Sequence, residues 1–255
     1  MSETYNAPAS PYWALKAFVF WLCRMIIFWQ AEEESLPSLE PVQCIRECDM
    51  LICHRPHEAV ALTAGQYPTM EHPMAAEKYA KFAYSTVFGY CVSRSFHCLE
   101  QAGTDSMLAF YVHGMYYVRR RCLEHRVTET EVYARWSPIE GIEVETWLIP
   151  AEGGHLRRHR IVSRLSCEAY DCGFSYPDCM EQTSQTEEEH MAAVWDENGE
   201  SRLSASMGQG TVIRPFSNMN LIFPNVRIPA VHLAIEPALR NLKVWLQLLL
   251  HRRIL

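Results

Sequence analysis

The sequence lacks the short signatures of several common chemistries. It holds no GxxxxGK[ST] phosphate loop, no GxSxG elbow, no HExxH zinc motif and no GxGxxG between a strand and a helix. Nucleotide-driven, serine-hydrolase, zinc-protease and dinucleotide-dependent classes therefore have no support, and no cofactor is expected. An excess of positive charge is also missing: 23 Lys and Arg stand against 30 Asp and Glu, a net charge of -7. A nucleic-acid binder needs a positive surface to displace counterions, so nucleic acid is not an expected partner. Two local exceptions, Arg119-Arg120-Arg121 and Arg157-Arg158-His159-Arg160, sit in stretches that read as strands. Both are expected on solvated strand faces.

Ten cysteines are present, but no CxxC pair. Most are read as free buried or semi-buried thiols. The tightest group, Cys44, Cys48, Cys53 and His54 with His57 nearby, lies where a strand meets its turn. Side chains there point in different directions, whereas zinc needs four converging ligands, so no metal site is expected. Residues 1–10 are polar with no basic start, which predicts no signal peptide and a cytoplasmic location by default. The apolar run from 13 to 29 is at the lower length limit for a span and is broken by Lys16 and Arg24, so no membrane span is expected.

What is present is the balance of a globular chain, 49% hydrophobic and 21% charged. Residues 1–30 read as a helix entered through Ser10 and Pro11, with Trp13, Ala17, Phe20 and Trp21 along one apolar face that has no partner in its own zone. Residues 31–41 form an acidic, proline-bearing linker. Residues 42–237 read as short antiparallel strands separated by turns, which predicts a mainly β fold, an antiparallel β-sandwich. Hairpins are expected between 50–53 and 59–63, between 107–112 and 115–122 through His113-Gly114, and between 191–195 and 201–206 through residues 196–199. Further strands are expected at 131–136, 142–149, 155–165, 167–174, 211–213, 220–223 and 230–235. The acidic segment 181–189 reads as a surface loop, and the Leu-rich residues 238–255 as a C-terminal helix.

Two stretches carry candidate chemistry. Along residues 142–148 the two-residue period puts Glu143, Glu145 and Trp147 on one strand face, and the next strand adds Arg157 and His159. These five can form a cross-strand charge ladder on a wet surface. They can also form a sugar-binding face, where Trp147 stacks on a ring and the charged groups bond hydroxyls or a carboxylate. Glu143 and Glu145 project from one strand, so they do not face each other across a scissile bond as glycosidase carboxylates do. The second stretch, residues 71–90, groups His72, Glu77, Lys78 and Tyr79 with small and aromatic residues. It reads either as a core-packed loop followed by an edge strand or short helix, or as a cleft wall whose polar groups transfer protons or contact sugar.

Here a resemblance becomes usable. EKYAKFAYSTVFGY (residues 77–90), preceded by Gly65-Gln66, resembles the signature of the domain of unknown function 2264 family. YNAPASPYWALKAF (5–18) is similar to the end of that family's helical domain. Trp136-Ser137-Pro138, VETWLIP (144–150) and HLRRHRI (155–161) follow in the family's order, with a looser likeness from 218 to 229. The resemblance implies a helical (α/α) toroid followed by a β-sandwich, a layout shared with heparinase-like lyases and some uronic-acid glycosidases. The orphan N-terminal helix would be the last piece of a toroid that this chain lacks. Residues after Phe18 and after Pro237 depart from the pattern, as altered exon boundaries would make them do. The implied function is the C-terminal sandwich of a polysaccharide-acting hydrolase or lyase, with no complete active site of its own. The alternatives are a non-catalytic carbohydrate-binding or structural sandwich, and a non-functional truncated product.

Overall fold

A computed structural model of the chain describes residues 38–237 except 65, 69–71, 180 and 181. It also describes the backbone of 244–251 and the isolated positions 18, 32, 34 and 35. The expected helix over 1–30 thus lies outside the described residues, Phe18 apart. Strands β1 (Val42–Ile45), β2 (Met50–Arg55), β3 (Glu58–Thr63) and β4 (Ala83–Ser85) pair in that order into a small antiparallel sheet. A short helix, α1 (Ala75–Tyr79), lies between β3 and β4.

The large sheet uses β5 (Leu108–Val112), β6 (Met115–Tyr117), β7 (Cys122–Val127), β8 (Val132–Trp136), β9 (Ile142–Ala151), β10 (Gly154–Ser163), β11 (Cys167–Cys172), β14 (Gly199–Ile213), β15 (Val226–Ile235) and β16 (Val244–His251). Their order is β6-β5-β11-β15-β14-β16-β10-β9-β8-β7, while β12 (Tyr176–Pro177) joins β15 and β13 (Ser184–Asp196) joins β14. The two ends of this sheet face each other. Phe110 of β5 meets Trp136 of β8 with ring centroids 6.1 Å apart, and both belong to one apolar cluster with Val144, Leu148, Ile161, Ala169, Val231 and Leu233. Leu51, Val60 and Leu62 bring the small sheet into the same core. The described chain is therefore a mainly β, antiparallel sandwich.

Turn chemistry explains the hairpins. His113 and Gly114 hold φ of 50° and 81°, the left-handed pair that a two-residue turn between β5 and β6 needs. Asp196 Oδ1 accepts the Asn198 N–H at 2.7 Å and closes the β13–β14 turn.

Four expectations need correction. The Leu-rich tail is not helical over 244–251: this segment is β16, antiparallel to both β10 and β14. A continuous apolar run reads alike as buried helix or buried strand, and the partner edges decide. The acidic segment expected as a loop is β-strand from Ser184 onward, continuous with the part of β13 that pairs with β14 from Glu189 to Asp196. Residues 220–223 form no strand. Asn220 makes one bridge to Cys91, and its side chain accepts the Ile222 and Phe223 N–H groups, which curls the segment. Finally, Arg119 is neither on a strand nor solvated. It is fully buried after β6 and donates to the Ala80, Thr63 and Lys81 carbonyls.

Candidate functional site

The segment before β4 is built on buried ions. Lys81, fully buried, donates from Nζ to Gly103 O at 2.7 Å and to Asp105 O and Oδ1, both at 2.9 Å. Asp105 Oδ1 also accepts the Cys91 N–H at 3.0 Å, and Glu77 of α1, 1% exposed, accepts the Ser93 N–H at 2.8 Å. The long connection from β4 to β5 is thus fastened from beneath by three ionisable side chains. Burial raises the Asp105 carboxyl, although Lys81 opposes that rise.

Above this anchorage His72, Lys78 and Tyr79 are half-buried. The His72 ring meets Tyr79 edge-on at 5.8 Å, and Lys78 Nζ lies 5.7 Å from the same ring centroid. Tyr84 donates its hydroxyl to Glu77 O at 3.0 Å and meets the half-buried Tyr90 edge-on at 5.6 Å. Burial pushes both phenols up, so both are hydrogen donors at neutral pH. Of the four residues expected at a cleft wall, three reach the surface together. Glu77 points inward and positions the loop. Among the described residues no group of three or more His, Cys, Asp or Glu could hold a metal ion, and the described cysteines are free thiols, with Cys179 exposed.

The five residues expected on one sugar-binding face are divided by the sheet. Registers Tyr133↔Trp147↔Arg158 and Arg135↔Glu145↔Arg160 place Glu143, Glu145 and Trp147 on the outer side of β8–β10. There Tyr133 and Trp147 rings lie 5.3 Å apart, Arg126 sits 5.1 Å from the Tyr133 ring, Arg160 pairs with Glu145, and Arg135 is 3.5 Å from both Glu124 and Glu143. Arg157 and His159 alternate to the inner side and are 0% exposed. The expectation that all five share a face is corrected by register alone: a period of two puts odd positions of β10 opposite Thr146 and Leu148.

Inside, these two residues join a continuous polar chain. Trp136 Nε1 donates to Thr146 Oγ1 at 3.0 Å, which lies 2.9 Å from His159 Nδ1. His159 Nε2 is 2.8 Å from Asp171 Oδ2, outside good hydrogen-bond alignment. Arg157 donates to Asp171 Oδ1 and Cys172 O at 2.8 Å, to Ser106 Oγ at 2.9 Å and to His155 Nε2 at 3.1 Å. Accepting from a guanidinium leaves that His155 nitrogen without a proton, and burial, then Arg157 and Arg55, hold its pKa well below 6.5. Unfolding restores the ordinary value, so between the two values the unfolded chain binds more protons. Stability from this group accordingly rises with pH through that window and is complete above about 6.5. Asp105 works the other way, losing stability as pH rises through its own window above 3.8. Urea unfolding across pH is expected to show a loss on acidification below 6.5 that His155→Gln reduces. An unchanged slope in that variant would contradict a neutral buried His155.

Residues 40–247 match the family model described as the DUF2264 C-terminal domain. The chain belongs to this family. In fold, the DUF2264 domain is similar to a heparinase III gene product, at 7% identity and a TM-score of 0.60 over 94% of this chain, and to heparan sulfate lyase HepC from Pedobacter heparinus, at 4% identity and 0.58 over 96%. It spans 41% of each of those chains. A search of curated proteins finds no match. Sequence reading of the DUF2264 domain missed Asp105 and Asp171, and it placed Arg119 on a solvated face although that residue is buried. None has a local pattern that marks burial.

Proposed function

We propose that this domain is the sandwich portion of a polysaccharide-acting enzyme, of the lyase or hydrolase class, that forms one wall of a glycan groove and does not turn over substrate alone. The other wall would come from a helical (α/α) toroid not contained in this chain. The observation that carries the reading is the α1 cluster. Half-buried His72, Lys78 and Tyr79 offer donors and acceptors beside an aromatic pair, while Glu77 faces inward to the loop. These groups suit a contacting wall, with donors and acceptors at the surface and the Glu77 carboxylate turned inward. The fold likeness to proteins named heparinase III and heparan sulfate lyase agrees with a glycan as partner.

Purified chain is expected to give neither new reducing ends nor unsaturated sugar absorbance from uronic-acid oligosaccharides, yet to bind them. His72→Ala with Lys78→Ala should weaken binding about tenfold, the loss of one or two charged hydrogen bonds. Clear turnover by the chain alone refutes the missing-wall reading. A second reading, a carbohydrate-binding sandwich, draws on the partly exposed Trp147 beside Tyr133. It requires Trp147→Ala, and not the α1 pair, to abolish binding. A molten chain without cooperative unfolding would mark a truncated product instead.

A further inference from the structure

A cavity of about 500 Å³ lies at one end of the outer side of β7–β10, beside the β8–β9 and β10–β11 turns. Four charged side chains line it: Glu140, Glu143, Arg160 and Arg164. Two of them are already matched, since Glu143 is 3.5 Å from Arg135 and Arg160 pairs with Glu145. Glu140 and Arg164, both exposed, enter no ion pair or side-chain hydrogen bond among the described residues. Their backbones are nevertheless fixed. The Arg164 N–H donates to Gly141 O at 2.8 Å, which ties the two turns together. Ser137 Oγ holds the Ile142 carbonyl at 2.7 Å under the Glu140 turn, and Ser163 Oγ holds the Leu165 carbonyl at 2.7 Å under the other. A third unmatched group is apolar. The β7–β8 register shifts between Cys122 and Glu124, so Leu123 is the extra residue of a bulge. Cys122 packs against the main core, while Leu123 is turned out to 60% exposure at the cavity.

We infer that this cavity binds a short free peptide that carries both charged termini and an apolar side chain. Three features of the lining select that chemistry. The Arg164 guanidinium is a planar fork that matches a terminal carboxylate. The Glu140 carboxylate is an acceptor for a terminal ammonium. Leu123, with Val162 of β10 also in the lining, offers apolar surface to a side chain between the two ends. The two charges stay apart instead of pairing with each other, which suits a ligand whose own charges are separated by more than one residue. The volume is that of a site for a molecule of a few residues. Among the described residues no aromatic ring lines the cavity, so it gives a sugar no face to stack on. Peptide capture here is independent of the α1 cluster and of the glycan wall built on it.

Titrating the whole chain with alanyl-leucyl-alanine, its N-acetylated form, its C-amidated form and trialanine, followed by NMR and calorimetry, tests this. Each cap should weaken binding about fivefold, the worth of one exposed charged contact. Glu140→Gln should remove the effect of acetylation, and Arg164→Gln the effect of amidation. Leu123→Ser should weaken the leucyl peptide and leave trialanine unchanged. Arg158→Gln, an exposed arginine on β10 outside the cavity, should alter none of these. The substituted residues are exposed, so urea midpoints should match that of the unchanged chain, and the capped peptides test the unchanged chain without any variant. No binding of the free peptide at millimolar concentration, or caps that cost nothing, overturns the site. Cap effects that survive both Glu140→Gln and Arg164→Gln overturn it as well. If a uronic-acid oligosaccharide displaces the peptide, the cavity is part of the glycan surface and the peptide site falls; if the oligosaccharide binds without displacing it, the two sites stand apart.

Discussion

Asp171→Ala is expected to remove about 3–5 kcal/mol of folding stability, a large share of what a domain of this kind possesses. Asp171 and Arg157 are both 0% exposed and meet at 2.8 Å. Deleting the carboxylate leaves a guanidinium in the core with a ring nitrogen, a hydroxyl and a carbonyl as acceptors but no direct ionic partner. It also strips His159 Nε2 of its neighbour. The penalty comes from the stranded charge and not from the intrinsic worth of the pair. Replacing both partners, as Asp171→Leu with Arg157→Met, should therefore recover most of the loss. Urea denaturation of the three variants separates the effects. An Asp171→Ala variant within about 1 kcal/mol of the unchanged protein would mean that the guanidinium finds water, and that the core is not closed as described.

Phe82→Ala should be comparably severe. The side chain is fully buried in the main apolar cluster, where a Phe-to-Ala cavity costs about 3–5 kcal/mol. It also has an electrostatic role. Arg119 lies 4.7 Å and Arg157 5.2 Å from the ring centroid, so the π-face serves two cations, and each lowers its pKa through burial. Trp136 and His159 flank the same ring at 6.2 and 5.2 Å. Phe82→Leu retains much of the volume without the quadrupole and should still cost about 1–2 kcal/mol. If Leu proves as good as Phe, the ring acts as filler alone.

The sandwich was legible because its strands obey local rules. The alternation in 142–149 and 155–161, and the His113-Gly114 turn, need no distant information. Segments whose fate depends on partners were not legible. Residues 244–251 contain nothing that separates a buried strand from a buried helix until the open edges of β10 and β14 are known. Acidic residues 184–189 open a strand whose register with β14 starts at Glu189, opposite Gln209, a pairing that no local pattern announces. Within the α1 site, the grouping of His72, Lys78 and Tyr79 followed from proximity in sequence. The inward turn of Glu77 did not, since it depends on Ser93 sixteen positions later. The face split of Arg157 and Trp147 was computable from periodicity once the register was known, and register is itself a tertiary property.

The place of β16 at the middle of the large sheet bears on how the molecule is made. A ribosome releases β10 and β14 well before residues 244–251 emerge, so each strand must wait with one row of amides and carbonyls unmatched. During that interval the nascent polypeptide is a half-zipped ribbon open to pairing with its neighbours on the polysome. Final closure waits until residues 244–251 have emerged, when the late strand slides between two that were synthesised earlier.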